Sequence, residues 1–161
     1  MKRTHTCGDL KKENIGNIVT LAGWVNTRRD HGGLIFIDLR DRYGLSQIVF
    51  EPTHNNRIFS EAEDLRREDV IQVTGTVRKR PEGMINPNLP TGEVEVLIDE
   101  LEILSKAETP PIEIDDRKIA NEELRLKYRY LDLRRPEMQN NLLTRHKVAQ
   151  AAREFLSSQD F

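Results

Sequence analysis

Cysteine is almost absent: Cys7 stands alone in 161 residues. No disulfide can form within the chain, and the usage fits a reducing compartment. The lone thiol reads as a small residue buried at a domain edge. No apolar run reaches the ~18 residues that a membrane-spanning helix needs. The N-terminal stretch MKRTHTCGDL lacks the apolar core of a secretory signal. We expect a soluble, cytoplasmic protein with no membrane partner. An excess of positive charge is missing too. The 25 Lys and Arg face 27 Asp and Glu, for a net charge of −2. Contact with nucleic acid would therefore need a local patch rather than a global field. The phosphate loop G-x-x-x-x-G-K-[ST] does not occur. His5, His31, His54 and His146 show no metal-ligand spacing. The acidic runs EAED and IDDR read as solvated carboxylates, so no catalytic constellation and no metal site are expected.

What is present divides into two halves. The chain is 37% hydrophobic, enough for one compact core. Residues 17–104, within a first domain spanning 1–104, carry short alternating runs separated by turn residues. Residues 121–161 read as charged helix. Between them, 105–120 contains Pro110-Pro111, a pair that continues neither a helix nor a central strand. This stretch is read as a linker.

Alternation predicts five strands, over 18–28, 34–40, 45–51, 70–80 and 93–104. The inward residues are Val19, Leu21 and Val25; Ile35, Ile37 and Leu39; Ile48 and Phe50; Ile71, Val73 and Val77; Val94, Val96 and Ile98. Leu101 and Ile103 fall out of phase with the last set, which predicts a bulge near Asp99. A helix starting at Pro52-Thr53 carries Ile58, Ala62 and Leu65 at helical spacing. Three strands, a helix and two strands is the order of an OB-fold, a partly open five-stranded Greek-key barrel that binds oligonucleotides. The predicted class is therefore mainly β, followed by a linker and a charged helical segment.

The outward phase carries Asn26 and Arg28; Leu34, Phe36, Asp38 and Arg40; Gln47; Gln72, Thr76, Arg78 and Arg80; Glu93 and Glu95. A phenylalanine among polar neighbours on an outer face is unusual. Phe36 offers a stacking platform for an unpaired base. Gln47 and Glu95 offer groups for Watson–Crick edges that only unpaired bases expose. Arg28, Arg29, Arg78 and Arg80 are read as neutralising phosphates. This set suits single-stranded RNA rather than DNA.

The run EELRLKYRYLDLRRPEMQ at 122–139 closely resembles the entry to the catalytic domain of bacterial-type aspartyl-tRNA synthetases, and RYLDLRRPEM is its most specific part. GWVNTRRDHGGLIFIDLRD at 23–41, VTGTVRKRPEG at 73–83 and NPNLPTGEVEV at 86–96 resemble the same family. The barrel features alone also allow a lysyl or asparaginyl enzyme, or a stand-alone RNA-binding module without catalysis.

The resemblance implies a barrel that binds a tRNA anticodon loop. Phe36 and Gln47 match the positions that stack on the anticodon and read its middle uridine. Glu95 and Arg28 match further contacts, and Asn86 is a contact from the loop before the last strand. It also implies that the intact enzyme attaches aspartate to tRNA(Asp) with ATP and Mg2+, as a homodimer. The helix from Pro136, with Leu142, Ala149, Ala152 and Leu156 along one face, would help to build the dimer interface. The resemblance implies that 121–161 is the helical start of an incomplete α+β class II catalytic domain, so that the chain is a fragment without its active site and with no cofactor of its own. The family includes a relaxed kind that also charges tRNA(Asn). His31 with Gly32-Gly33, and Gly83 in RPEG, resemble that kind. Gly83 after Pro81 equally suits a tight turn.

Overall fold

The computed structural model describes residues 3–161, and the coordinates divide into two compact units, Met1–Thr109 and Pro110–Phe161. The first unit is a closed barrel with strand order β1-β2-β3-β5-β4. Its strands are β1 (Ile18–His31), β2 (Leu34–Arg40), β3 (Leu45–Phe50), β4 (Val70–Lys79) and β5 (Val94–Ser105). Helix α1 (Asn56–Glu63) lies between β3 and β4, the order that the sequence predicts. All pairs are antiparallel except β3 with β5, which closes the barrel in parallel.

Every strand residue predicted to face inward is buried, from Val19 in β1 to Ile98 in β5. Ile58, Ala62 and Leu65 close one end, and Cys7 and Leu10 join the same cluster. Burial first, then the Asp41 carboxylate, pushes the Cys7 thiol far above its ordinary pKa, so it is inert packing material.

The bulge in β5 lies where the lost phase predicts it. Gly75 pairs with Ile98 and Thr74 with Glu100, so Asp99 has no partner opposite. A side chain at Gly75 would collide with the Leu97 carbonyl, which explains the glycine.

Two expectations are corrected. Helix α1 starts at Asn56, not at Pro52-Thr53. The Asn55 side chain accepts a hydrogen bond from Ile58 N–H at 3.4 Å and sets the start, while His54 and Asn55 both turn back onto the Glu51 carbonyl. The second correction lies in β1. Val25 pairs with Leu39 but Thr27 pairs with Asp38, so Asn26 is an extra residue. The bulge inverts the phase of everything after it. Thr27, Arg29 and His31 share the outer face with Asp38 and Phe36, and Arg28 lies opposite Ile37 on the other face.

The second unit carries α2 (Glu122–Lys127), α3 (Arg129–Asp132) and α4 (Pro136–Ser158). Pro136 occupies the first turn of α4, as expected. The Asp116 carboxylate accepts from Glu137 N–H at 2.9 Å and satisfies one of the free donors there. Asp116 also accepts from Arg135 Nε at 3.0 Å, so part of the predicted linker is bonded into this unit. Asp132 is fully buried and receives Arg125, Arg129 and Arg135. Among the described residues, no helix is long and apolar enough to cross a membrane.

Candidate nucleic-acid interface

The outer face of the barrel is built by strand register. Arg29 pairs with Phe36, Phe36 with Val49, and Asp38 with Gln47. Ile48 pairs with Val96 in parallel, which places Gln47 and Glu95 together on the outer side. Arg78 pairs with Glu95. Five predicted site residues, Arg29, Phe36, Gln47, Arg78 and Glu95, are thus brought onto one surface. Phe36 is half-buried and lies outside the core cluster.

Hydrogen bonds lock the polar members to one another. Gln47 Nε2 donates to Glu95 Oε2 at 2.8 Å. Arg78 Nε donates to Glu95 Oε1 at 2.8 Å, and its Nη2 to Glu51 Oε1 at 2.7 Å. Arg29 Nη2 donates to Asp38 at 2.8 Å and reaches Gln47 Oε1 at 3.4 Å. Glu95 is only 2% exposed and Gln47 9%. Both face outward as predicted, yet they lie within the network rather than free in solvent. Burial lowers the Arg78 pKa, but the bonds from Glu51 and Glu95 outweigh it and hold the guanidinium above its ordinary value.

Arg80 departs from the expected phosphate contact. It is buried, its Nε donates to the Val94 carbonyl at 3.0 Å, and its Nη2 has no hydrogen-bond partner among the described residues. Burial lowers its pKa, against the opposing charges of Glu95 and Asp38. Arg28 is not on this face either. Its Nε donates to the Ala62 carbonyl at 3.2 Å and its Nη2 meets Asp30 at 3.0 Å.

The model of the OB-fold nucleic acid binding domain matches residues 19–104. The chain belongs to this family. The model of class II tRNA synthetases (D, K and N) matches residues 121–161. An aspartate–tRNA(Asp/Asn) ligase of Protochlamydia amoebophila is 57% identical over 99% of the chain. One of Heliobacterium modesticaldum is 56% identical over 100% of the chain. The chain spans 27% of the length of both relatives. The asparaginyl-tRNA synthetase of Pyrococcus horikoshii, solved with asparaginyl-adenylate, is 32% identical over 99% of this chain and 35% of its own, with a TM-score of 0.83.

In this OB-fold domain the loop candidates stand apart from the network. His31 ends β1 opposite Leu34 and is exposed. Gly83 is exposed with φ +82° in a turn closed by Met84 N–H on the Pro81 carbonyl, so its backbone alone favours glycine. Asn86 spends its side-chain oxygen on Asn88 N–H at 3.0 Å, a turn-forming role. Among the described residues, no group of three or more His, Cys, Asp or Glu is placed to hold a metal ion.

The OB-fold surface also uses residues to which sequence reasoning gave no role. Asp38 and Glu51 hold Arg29 and Arg78. Val49 points outward by register but is 0% exposed and outside the core cluster. Its register neighbours are Phe36 and Leu97, so it forms an apolar floor beside the ring. The signal was there: an apolar residue in the outward phase of 45–51.

Proposed function

We propose that the barrel binds the unpaired anticodon loops of tRNA(Asp) and tRNA(Asn), and that the intact protein attaches aspartate to them with ATP and Mg2+. The observation that carries this reading is the bonded pair Gln47–Glu95 on the face that bears Phe36. A base stacked on the ring presents its pairing edge to an amide and a carboxylate already fixed in place. We assign no residue of this chain to ATP or Mg2+. Arg29, Arg78 and Asn86 are further anticodon-loop contacts in this proposal, whereas Arg28, turned to the other face, is left out of it. The exposed Leu142, Leu143, Val148, Phe155 and Leu156 of α4 suit burial in a homodimer of the intact enzyme. Aspartyl-tRNA formation would place the protein in the cytoplasm.

Filter binding of this chain to tRNA(Asp) transcripts tests the reading. Changing the middle anticodon base is expected to weaken binding, and equal affinity would refute it. Phe36→Ala is expected to cost about 1–3 kcal/mol of binding through lost stacking. Unchanged binding in a folded variant would assign the ring to packing.

His31 and Gly83 make the proposal specific to both tRNAs. A glycine removes side-chain contacts that would reject one pyrimidine, and imidazole can donate or accept. His31→Leu with Gly83→Asn in the intact enzyme is expected to raise the ratio of tRNA(Asp) to tRNA(Asn) charging. An unaltered ratio would remove the relaxed specificity.

A further inference from the structure

The reading face is electrically balanced. Arg29 is paired with Asp38, and Arg78 with Glu51 and Glu95, while Arg80 is buried beside Glu95. Phosphate contacts nevertheless dominate the affinity of most nucleic-acid complexes. The free positive charge for them must lie elsewhere on the barrel.

The tip of the β2–β3 hairpin supplies it. Tyr43 is 59% exposed, with the Arg3 guanidinium 5.5 Å and the Arg42 guanidinium 5.9 Å from its ring centre. Arg42 forms no ion pair among the described residues. Arg3 is paired with Asp41 at 3.2 Å. The turn that presents Tyr43 is rigid. The Asp41 carboxylate accepts from Tyr43 N–H at 2.7 Å, Gly44 N–H at 3.0 Å and Cys7 N–H at 2.9 Å. Gly8 packs so closely on the Tyr43 carbonyl that a side chain there would collide. An exposed aromatic ring between two cations, held on a stiff turn, is pre-organised for a polyanion.

We propose that Arg42 and Tyr43, with Arg3, form a second RNA contact that grips the sugar-phosphate backbone of the duplex stem next to the loop read by Phe36 and Gln47. The proposal rests on the anticodon-loop reading above. The same hairpin carries both sites. Arg42 lies six positions after Phe36, a span of about 20 Å at strand rise. Each strand of a duplex advances ~3.4 Å of helix axis per phosphate. Measured along the axis of a stacked strand, the tip therefore reaches about six nucleotides from the stacked base, beyond a triplet and at the distance of a paired stem.

Two RNAs separate the sites: a single-stranded oligonucleotide of the loop sequence, and the same loop closed by a base-paired stem. For the hairpin, Arg42→Gln is expected to weaken binding about 3- to 10-fold and to reduce the salt slope by roughly 0.7–0.9. Tyr43→Ala is expected to weaken the hairpin several-fold, and Arg42→Lys to restore most of the affinity. The oligonucleotide should bind all three variants like the parent. Equal losses on both RNAs, or none on either, overturn the proposal. A change in Trp24 fluorescence unfolding would mark a misfolded variant, and Arg42→Ser, which also removes the charge, then decides by its salt slope on the hairpin. Loss of the anticodon reading is distinguishable, because the parent chain would then ignore a change of the middle base in both RNAs.

Discussion

Replacing Asp132 by alanine is expected to destabilise the Pro110–Phe161 unit by about 1.5–3 kcal/mol, because it removes a fully buried acceptor shared by three guanidiniums. Arg125 donates to Asp132 at 2.9 Å, Arg135 at 2.9 Å, and Arg129 completes the set. Arg135 keeps Asp116 and Glu137 after the substitution, but Arg125 and Arg129 lose the carboxylate they share. Urea unfolding followed by helical ellipticity at 222 nm checks this, with Trp24, the sole tryptophan, reporting on the barrel. The helical transition should move to lower urea while the Trp24 transition stays. Unmoved helical unfolding would mean that the arginines solvate freely once released. The pH dependence follows with its sign. Burial raises the Asp132 pKa, but the bonds and charges of Arg125 and Arg135 outweigh it and hold the carboxyl below its ordinary value. The stabilisation is therefore complete above the unfolded carboxyl pKa of about 3.9 and is lost as pH falls through the lower folded value. In the alanine variant this acid-dependent loss of helix should flatten.

Glu95→Ala is expected to cost about 2–3 kcal/mol of barrel stability and to abolish discrimination of the middle base. One carboxylate, 2% exposed, accepts from Gln47 and from Arg78. Its removal leaves a nearly buried amide without its acceptor and removes one of two partners of Arg78. Arg78 retains Glu51 and is a third exposed, which limits the cost. Glu95→Gln keeps the shape and an acceptor oxygen, so it should fold nearly as well while still losing selectivity. Trp24 fluorescence in urea and filter binding with altered middle bases separate the two effects. Retained discrimination in Glu95→Ala would assign base reading to Gln47 alone.

Much of the barrel was legible because strict alternation in Leu34–Arg40 and Val70–Lys79 admits one register. Phe36 and Arg78 follow from it directly, and Gln47 and Glu95 from the phases of their apolar neighbours Ile48, Phe50, Val94 and Val96. Arg28 did not, because the bulge at Asn26 carries no glycine or proline to announce it. The sequence pattern therefore chose the wrong member of Arg28-Arg29 for the centre of the surface. Alternation gives a face but not a depth, which is why Arg80 looked like a solvent cation and proved buried. The start of α1 was missed for a local reason: an asparagine cap outweighed the proline signal. The Asp132 cluster joins residues three to seven apart in a dense charge run, where sequence alone shows no reason to prefer one pairing.

The bonds among Gln47, Glu95, Arg78 and Arg29 exist in the protein alone. In the proposed complex a docking nucleobase must exchange into this lattice, replacing contacts rather than adding them. A matching edge restores what it displaces, so the net gain in affinity is small. A mismatched edge leaves donors and acceptors stranded out of water, which costs far more. Such a surface rejects strongly and attracts weakly, and the strength of holding has to be provided at a distance from the point of choice.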